Sequence, residues 1–492
     1  MRKIILAAVT AAALGTVGLT ATAQAQSAVP HIAANTAKKT VVAGIPASML
    51  FTNPAGTGTK CTVKVTGLPG PVTAGTSSTV AKGCTVELEG VWPTPGTKTV
   101  TVKFTAGGTT TTLTVTVTIL AKPCEPDAVG VGSDTITPLT DQLASDYDNT
   151  LAARTKCGSA VPAKPYEYSW DAINPISGAI GDSIAEKVDC PNIPRPNGSS
   201  AGIGQLATFN KSSSGPLCTN FARSSRPRGA TDPPFASGGV AFVVLAGDAV
   251  SWSHPAVNTA APATLTPTQL ASIYTCATTN WSQVGGGNQA IVPFLPQNGS
   301  GTLSFFLAAI GVTTPGPCVS NVNNTLEENE GTNSNLNNPG AIFIYSVGDW
   351  IAQSFHAPKC VVAATCKANA SGVICKKVPG LDQFWCNISG VGTPQGAEKL
   401  GQISGVAPTT GSGKSTKINP AFSSTFDRTL YDVVPFDPAT SDHIPGATSP
   451  VGGIDLSTEF GASGFDCSNA TAKTDITNYG FVNLGGGCGH TS

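Results

Sequence analysis

Apolar and polar residues alternate in the first part of the chain, over short segments rich in Val and Thr. These segments lie between Gly, Pro and Asn residues, around positions 39–42, 60–65, 84–88, 98–104 and 110–120. A period of two predicts strands with one buried face, and short strands at this spacing are typical of an immunoglobulin-like sandwich. We therefore predict an Ig-like β-sandwich at 27–122, serving as a spacer or adhesive module.

The pattern changes after a Pro- and Cys-containing segment at 121–126, because apolar runs then alternate with helical periodicity. The runs predict strands at 128–132, 241–245, 341–345 and 429–435, and the periodic segments predict helices at 137–147, 265–274 and 301–310. Thr266 is placed to cap the second helix, with Pro267 in its first turn. Such alternation predicts an α/β domain, at 124–440. Within it we expect a Cys-rich, disulfide-linked insertion at about 360–420, and after it an irregular Gly-rich tail at 441–492.

Three loops rich in glycine and hydroxyl groups each lead into a predicted helix, at 130–135, 197–200 and 298–302. A helix N-terminus presents unpaired N–H groups and the positive end of the helix dipole. Glycine lets the backbone approach a ligand closely, and Ser or Thr adds further donors. Ser and Thr are also ordinary N-caps, so one such loop indicates little. Three of them, at the spacing of successive strand–helix units, predict a shared site for a small oxyanion.

The first residues have the pattern of a secretory signal peptide. Arg2 and Lys3 precede an apolar stretch at 4–19, and small residues follow as far as Ala25. This apolar stretch is shorter than the roughly 20 residues that a spanning helix needs. We therefore predict a signal peptide at 1–25 and a secreted or otherwise extracytoplasmic protein, in the periplasm or at the cell surface, without membrane insertion.

The cysteines and the charge narrow the possible functions. Fourteen cysteines, an even number, indicate disulfides in an exported protein. Cys61–Cys84, Cys190–Cys218 and Cys467–Cys488 are candidate pairs, although spacing alone leaves the pairing open. Charged residues are 12% of the chain and the net charge is −1, so no basic surface for nucleic acid is expected. No cluster has the spacing of metal ligands, and no cofactor is implied.

From Val129 to about Pro435 the chain resembles the phosphate-binding proteins of ABC-type phosphate importers, which have a two-lobed, type II periplasmic-binding-protein fold. The resemblance rests on landmarks that occur in the family's order, at 130–135, 198–200, 221–225, 270–275, 280–282, 299–302 and 339–342. It implies a ligand cleft between the lobes that closes by hinge bending, and an ABC permease as a partner. It also implies anion contacts from Ser199 or Ser200, Ser224, Ser300, Gly301 and Thr302.

Two positions depart from the family's pattern. The family's carboxylate, which accepts the proton of hydrogen phosphate, falls on Ser225, and its arginine falls on Pro296. Asp134 lies in the first loop near a family ligand position and would supply a replacement acceptor. Arg223 and Arg226 flank Ser224 and would supply a guanidinium suited to phosphate. The expected ligand set is therefore Ser133, Asp134, Thr135, Ser199, Ser200, Arg223, Ser224, Arg226, Ser300, Gly301 and Thr302.

The resulting expectation is an exported solute-binding protein, not an enzyme, that captures inorganic phosphate or a related oxyanion. The alternative is a secreted or cell-surface interaction protein that keeps the binding fold without transport. Residues 198–202 fit Gly-x-Ser-x-Gly, which would make Ser200 a nucleophile, but the preceding Pro-rich segment is a poor strand. Residues 411–415 imitate the end of a phosphate-binding Walker loop, but Pro408 stands where its first glycine belongs.

Overall fold

The computed structural model describes residues 38–42, 46–53, 61–70, 72–79, 83–92, 94–106, 109–120, 123–148, 150–151, 165–173, 180–188, 190–210, 217–331, 333–356, 366–369, 372–375, 398–447 and 454–492. Its N-terminal part has seven strands: β1 Lys38–Val42, β2 Pro46–Asn53, β3 Cys61–Thr66, β4 Val72–Thr79, β5 Gly83–Val91, β6 Gly96–Ala106 and β7 Thr109–Leu120. They form a four-stranded sheet in the order β1-β7-β6-β3 and a three-stranded sheet in the order β2-β5-β4.

The two N-terminal sheets share one apolar core. Val86 and Leu88 enter it from β5, and every second residue of β6, Val100, Val102 and Phe104, enters it from the other sheet. This alternation is the period-two pattern read from the sequence. Strands β2 and β4 were not predicted, because three consecutive large apolar residues interrupt the alternation in β2 and small and hydroxyl residues mask it in β4. The Ig-like assignment and the predicted domain boundaries stay predictions.

The rest of the chain mixes strands and helices. The strands are β8 Ala128–Gly132, β9 Glu167–Ser169, β10 Ser183–Ala185, β11 Asn192–Pro194, β12 Phe221–Ser224, β13 Val240–Pro255, β14 Thr264–Leu265, β15 Val292–Pro293, β16 Ala341–Ser346, β17 Cys366–Asn369, β18 Gly372–Cys375, β19 Glu398–Leu400, β20 Gln402–Ile403, β21 Thr409–Thr410, β22 Lys417–Ile418 and β23 Asp427–Pro435. The helices are α1 Thr137–Asp148, α2 Ser199–Asn210, α3 Pro267–Tyr274, α4 Gly301–Ala309, α5 Val347–Ile351, α6 Ser457–Phe460, α7 Phe465–Ser468 and α8 Ala470–Asn478. Short 3₁₀ turns occur at Trp281–Val284, Ser334–Asn337, Gly413–Ser415 and Gly485–Gly487, and a π-helical turn follows α5 at Ala352–His356.

One mixed sheet organises this α/β part, with the strand order β15-β16-β13-β23-β12-β8-β9 and with β19 paired to β13. Its apolar side chains pack into separate cores. One core contains buried residues from 249 to 426 only, and the others contain residues of 128–246 and 430–481. We call the part at 128–246 and 430–492 the first lobe and the part at 249–426 the second lobe. The antiparallel strands β13 and β23 run between them.

The predicted elements of the α/β part are present, with small shifts at their ends. Strand β13 is longer than the run at 241–245 indicated, since it continues through both lobes. Thr266 caps α3 with a reciprocal hydrogen-bond pair to Gln269, and Pro267 is the first helical residue, as predicted. The capping motif was therefore a reliable local signal.

The prediction of an irregular tail is wrong. Helices α6, α7 and α8 pack on the first lobe, where Phe460 lies 4.9 Å from Phe221 and Phe465 lies 5.5 Å from Tyr147 between ring centroids. A few large apolar residues are enough to pack these short helices on the rest of the lobe. The glycine turns between the helices interrupt the helical periodicity of the sequence, so the helices were not predicted.

The predicted Cys-rich insertion is covered only in part. Leu400, Ile403 and Phe422 belong to the core of the second lobe, so the chain from 398 onward is part of that lobe rather than an insertion. Residues 376–397 lie outside the described residues.

Three disulfides are described, Cys190–Cys218, Cys276–Cys318 and Cys467–Cys488. The first and third confirm the predicted pairs, and the second was not predicted. The predicted Cys61–Cys84 pair involves side chains outside the described part, as does the signal peptide at 1–25. Among the described residues, no helix is both long enough and apolar enough to cross a membrane.

The glycine at the end of the Gly-x-Ser-x-Gly match has a packing role, which gives a first prediction. A Cβ at Gly202 would lie 2.6 Å from Cα of Gly132 and 2.8 Å from the carbonyl oxygen of Val131, so helix α2 would have to move. We expect Gly202→Ala to destabilise the fold by about 2 kcal/mol. Gly204 in the same helix has open space around it, so Gly204→Ala should stabilise by up to about 1 kcal/mol. Urea denaturation of both variants tests this, and equal effects would contradict it.

Candidate functional site

The three predicted loops meet at one place between the lobes. Ser225 joins the first two, because the hydroxyl of Ser133 donates to its hydroxyl at 3.0 Å and its own N–H donates to the Ser199 hydroxyl at 3.0 Å. The hydroxyls of Thr135 and Thr302 lie 3.2 Å apart and join the first loop to the third. All five residues are buried. The convergence predicted from the sequence is therefore present.

Close approach of these loops requires glycine at position 301. A Cβ there would overlap the hydroxyl oxygens of both Ser199 and Ser225. Gly301 is thus explained by packing between the second and third loops.

A carboxylate of the chain itself lies at the centre of the loops. Oε1 of Glu328 accepts from the N–H of Thr135 at 3.0 Å, from the Ser133 hydroxyl at 3.3 Å, and from the Thr135 hydroxyl. Oε2 accepts from the N–H of Thr302 at 3.3 Å and from the Ser300 hydroxyl. We call Ser133, Thr135, Ser300 and Thr302 the cradle. Its donors surround a carboxylate in the way that an oxyanion site surrounds its ligand.

A buried arginine borders the cradle. Nη1 of Arg428 donates to the Thr302 hydroxyl at 2.7 Å and to the carbonyl of Ser225 at 2.9 Å. Its Nη2 lies 2.7 Å from Oδ2 of Asp248, and both side chains are fully buried. Arg428 and Asp248 are directly paired positions of β23 and β13. The chain thus supplies a guanidinium from a strand between the lobes.

Two further carboxyls lie beside Glu328. Burial, together with the nearby charge of Glu328 and Glu327, raises the pKa of Asp134 well above its usual range. Burial alone would raise the pKa of Glu328, but its hydrogen bond with Asp134 and the charge of Arg428 hold that pKa below its usual value. These opposite shifts of the two pKa values favour the neutral form of Asp134 and the ionised form of Glu328. The role of Asp134 as an acceptor for the ligand's proton stays a prediction.

The arginines predicted as ligands have other partners. Arg223 is fully buried and donates to the carbonyl of Ser133 at 3.1 Å, the hydroxyl of Ser169 at 2.7 Å and the carbonyl of Trp170 at 2.7 Å. It supports the first loop from within the lobe. Arg226 forms a two-pronged pair with Asp232, at 2.5 and 2.9 Å. Both side chains are thus held by local acceptors, and their predicted contacts with a ligand stay predictions.

Ser200 and Ser224 also lie outside the cradle contacts. Ser200 is exposed, and its hydroxyl accepts from Nη2 of Arg226 at 3.1 Å. The hydroxyl of Ser224 donates to the carbonyl of Arg226 at 2.8 Å and so closes a turn. Of the predicted residues, Ser133, Thr135, Ser300 and Thr302 hydrogen-bond to Glu328, and Asp134 lies beside it. Ser199 and Gly301 hold the loops together. Their roles in ligand binding stay predictions.

Sequence reasoning missed Glu327, Glu328 and Arg428. The only signal for the first two is a pair of adjacent acidic residues in a chain with few charges, between Leu326 and Asn329. Nothing near Arg428 in the sequence links it to the loops, because strand pairing alone brings it there.

The two rival motifs have no supporting geometry in the described part of the chain. Ser200 contacts an arginine, and the strand before it, β11, pairs with β10 outside the main sheet. Residues Gly413–Ser415 form an exposed 3₁₀ turn. Within the described ranges no group of His, Cys, Asp or Glu is placed to hold a metal ion.

A cavity of about 1060 Å³ also lies beside the lobe-connecting strands. It is lined by Asp248, Phe305 and Arg428, and by side chains of 414–420 and 477–484. The four cradle residues do not line it, so it is separate from the place that Glu328 occupies.

Comparison with protein families supports the fold. Residues 168–378, somewhat less than half of the chain, match the family model for the PBP superfamily domain. Together with the strand order and the two lobe cores, this match confirms the expected type II periplasmic-binding-protein fold of the α/β part. No curated protein matches the chain.

Several solved structures are similar over about three quarters of the chain, at low identity. An ABC-type phosphate transport receptor from Vibrio cholerae is 18% identical, with 72% of this chain and 99% of that chain covered and a TM-score of 0.40. A putative phosphate ABC transporter substrate-binding protein from Clostridium perfringens, solved with bound phosphate, is 14% identical, with 73% and 99% covered and a TM-score of 0.40. PstS from Borrelia burgdorferi is 15% identical, with 73% and 98% covered and a TM-score of 0.33.

The carboxyl of Glu327 gives a prediction for pH dependence. Burial, chiefly, raises the pKa of Glu327 from 4.5 to about 8, although hydrogen bonds with Asp134 and Asn197 oppose the rise. Between those pH values the folded protein keeps a proton that the unfolded chain has released, so this group lowers stability as pH rises through the window. Glu327→Gln imitates the protonated form. We expect it to match the wild type at pH 5 and to be more stable at pH 8.5, by at most about 5 kcal/mol.

Urea denaturation of the wild type and Glu327→Gln at the two pH values measures this difference. A gain of the same size at both values would mean that packing, rather than ionisation of Glu327, is responsible.

Proposed function

We propose that the protein is an exported solute-binding protein that captures phosphate or a related oxyanion between its lobes. The observation that carries this proposal is the cradle around the Glu328 carboxylate. Its donors are two backbone N–H groups and three hydroxyls, and all four residues that supply them are fully buried. Such preorganised donors suit a small, tetrahedral or planar anion, because each oxygen finds partners without rearrangement.

Arg428 adds the positive charge that an oxyanion requires. Its guanidinium already contacts Thr302 and lies close enough to lower the pKa of Glu328. Asp248 orients this guanidinium and offsets part of its charge, so the pair favours an anion of one or two negative charges.

Phosphate is the anion that we propose. Support comes from the sequence, in which the loop motifs resemble those of phosphate-binding proteins in the same order. The described disulfides support an extracytoplasmic location, since such bonds persist in oxidising compartments. An ABC permease is the partner that import would require.

A second function is favoured by a specific observation, namely that the chain's own carboxylate fills the cradle. A secreted or cell-surface interaction protein would need the binding fold but no free anion site. The exposed side chains of Val482 and Leu484, which line the separate cavity, would then belong to a contact surface.

Calorimetric titration separates these functions. The mature protein is stripped of bound anion by partial unfolding and refolding, then titrated with phosphate and, in parallel, with sulfate. The proposal predicts that phosphate binds, and the sulfate titration measures whether the site distinguishes the two anions. Absence of binding to either anion would contradict it and favour the interaction protein.

A cradle variant tests the location of the site. Thr135→Val keeps the side-chain volume and the N–H but removes a hydroxyl that donates to the Glu328 carboxylate. We expect about a tenfold loss of phosphate affinity, the usual effect of one hydrogen bond to a charged group. Thr275→Val is the matched control, because that exposed hydroxyl bonds only within α3, at 2.8 Å to the carbonyl of Ala271. If both variants bind phosphate like the wild type, the anion binds elsewhere.

A further inference from the structure

Glu328 takes the position that an anion would occupy and contacts both lobes. Ser133 and Thr135 belong to the first lobe, whereas Ser300, Thr302 and Glu328 itself belong to the second. We infer that Glu328 is an internal ligand, which holds the lobes together and which a bound anion must displace. The inference rests on the proposed function, because it concerns the same cradle.

A bound anion must displace Glu328 because the cradle has a limited number of hydrogen-bond donors. Both oxygens of Glu328 are used, and every cradle residue gives it at least one hydrogen bond. An oxyanion that used the same donors would place its oxygens where the carboxylate oxygens now lie. Two anions cannot share one buried set of donors, because their repulsion would be screened little there.

The backbone on either side of Glu328 is fixed to the second lobe. The carbonyl of Leu326 accepts from the N–H of Gln297 at 2.8 Å, and Leu326 is fully buried in that lobe's core. The carbonyl of Asn329 accepts from the hydroxyl of Tyr345 at 2.7 Å and from Nε2 of Gln353 at 2.9 Å. Glu328 is therefore presented to the first lobe by a loop with defined anchors.

The chain just before this loop has an unusual conformation. Val322, Asn323 and Asn324 are consecutive residues with positive φ values of 54°, 56° and 67°. Left-handed geometry is common for Asn but costly for a β-branched residue such as Val322. Contacts of the surrounding structure must therefore offset the strain of this backbone conformation, which precedes the loop that carries Glu328.

An internal ligand reduces the affinity for an external one. It is present at a high effective concentration, and only the fraction of molecules with an empty cradle binds anion. Removal of the Glu328 carboxylate should therefore tighten anion binding, while removal of a neighbouring carboxylate should not.

The experiment compares four full-length mature proteins: the wild type, Glu328→Ala, Glu328→Gln and Glu330→Gln. Each is titrated with inorganic phosphate and with sulfate by calorimetry. We expect phosphate to bind Glu328→Ala at least tenfold more tightly than the wild type, and Glu328→Gln to fall between them. Glu328→Gln keeps the shape of the side chain, so it remains informative if Glu328→Ala does not fold.

Glu330→Gln is the matched control. Its carboxylate lies in the same loop and accepts from the N–H of Glu327 at 3.5 Å, and it has no contact with the cradle among the described hydrogen bonds. Burial raises the pKa of Glu330 to about 7, so the titrations are made at pH 8, where Glu330 is mostly ionised and its replacement also reports general electrostatic effects.

Small-angle scattering without anion gives a second readout that does not depend on binding. If Glu328 holds the lobes together, Glu328→Ala should have a larger radius of gyration than the wild type and Glu330→Gln, and phosphate should reduce it. Equal affinities in the wild type and both Glu328 variants would overturn the inference and leave the proposed function intact. A third outcome is that Glu328→Ala expands but none of the four proteins binds an anion. This would overturn the proposed function and the displacement of Glu328 by an anion, but Glu328 would still bridge the lobes.

Discussion

The buried ion pair between Arg428 and Asp248 is the interaction on which the site depends. It joins directly opposed positions of the two strands that run between the lobes. Burying two charges is costly, and the cost is offset only when the remaining donors and acceptors are also used. Here Asp248 also accepts from the Ser346 hydroxyl at 2.9 Å and from the N–H of Gly348 at 3.0 Å. The pair therefore fixes the guanidinium against Thr302 and ties the third loop to both strands.

The charges around this pair explain how a second carboxylate can be buried nearby. Glu328 stays ionised because Arg428, two backbone N–H groups and several hydroxyls compensate its charge. Burial raises the pKa values of Asp134 and Glu327 instead, and the hydrogen bonds that Glu327 accepts from Asn197 offset only part of the rise for that group. These shifts favour one negative charge, on Glu328, beside uncharged forms of Asp134 and Glu327. This is the charge distribution that a bound oxyanion would require, and Glu328 provides it internally.

Small residues allow the loops to come this close. Gly202 lets helix α2 pack on the first loop, and Gly301 leaves space for the hydroxyls of Ser199 and Ser225. Arg223, which the sequence suggested as a ligand, donates to the carbonyl groups of Ser133 and Gly132 and so holds the first loop in place. Residues that look like ligands in a motif can therefore be the supports of that motif.

The sequence by itself determined the local elements and the loops. The cap at Thr266, the strand run at 341–345, the helix after Ser300 and the three Gly/Ser loops follow from propensity, capping and periodicity, which act over a few residues. Two disulfide pairs close in sequence were also identified in advance. The tail at 441–492 was predicted to be irregular, because its glycines interrupt the helical periodicity of α6, α7 and α8.

The tertiary structure decided which charges meet at those loops. Glu328 reaches Thr135, 193 positions away, and Arg428 reaches Thr302, 126 positions away. Strand register and lobe packing set these contacts, and no short sequence pattern encodes either. The sequence therefore determined the three loops and the helices that follow them. Only the fold decided that these loops would meet around a glutamate of the chain, with an arginine of β23 beside them.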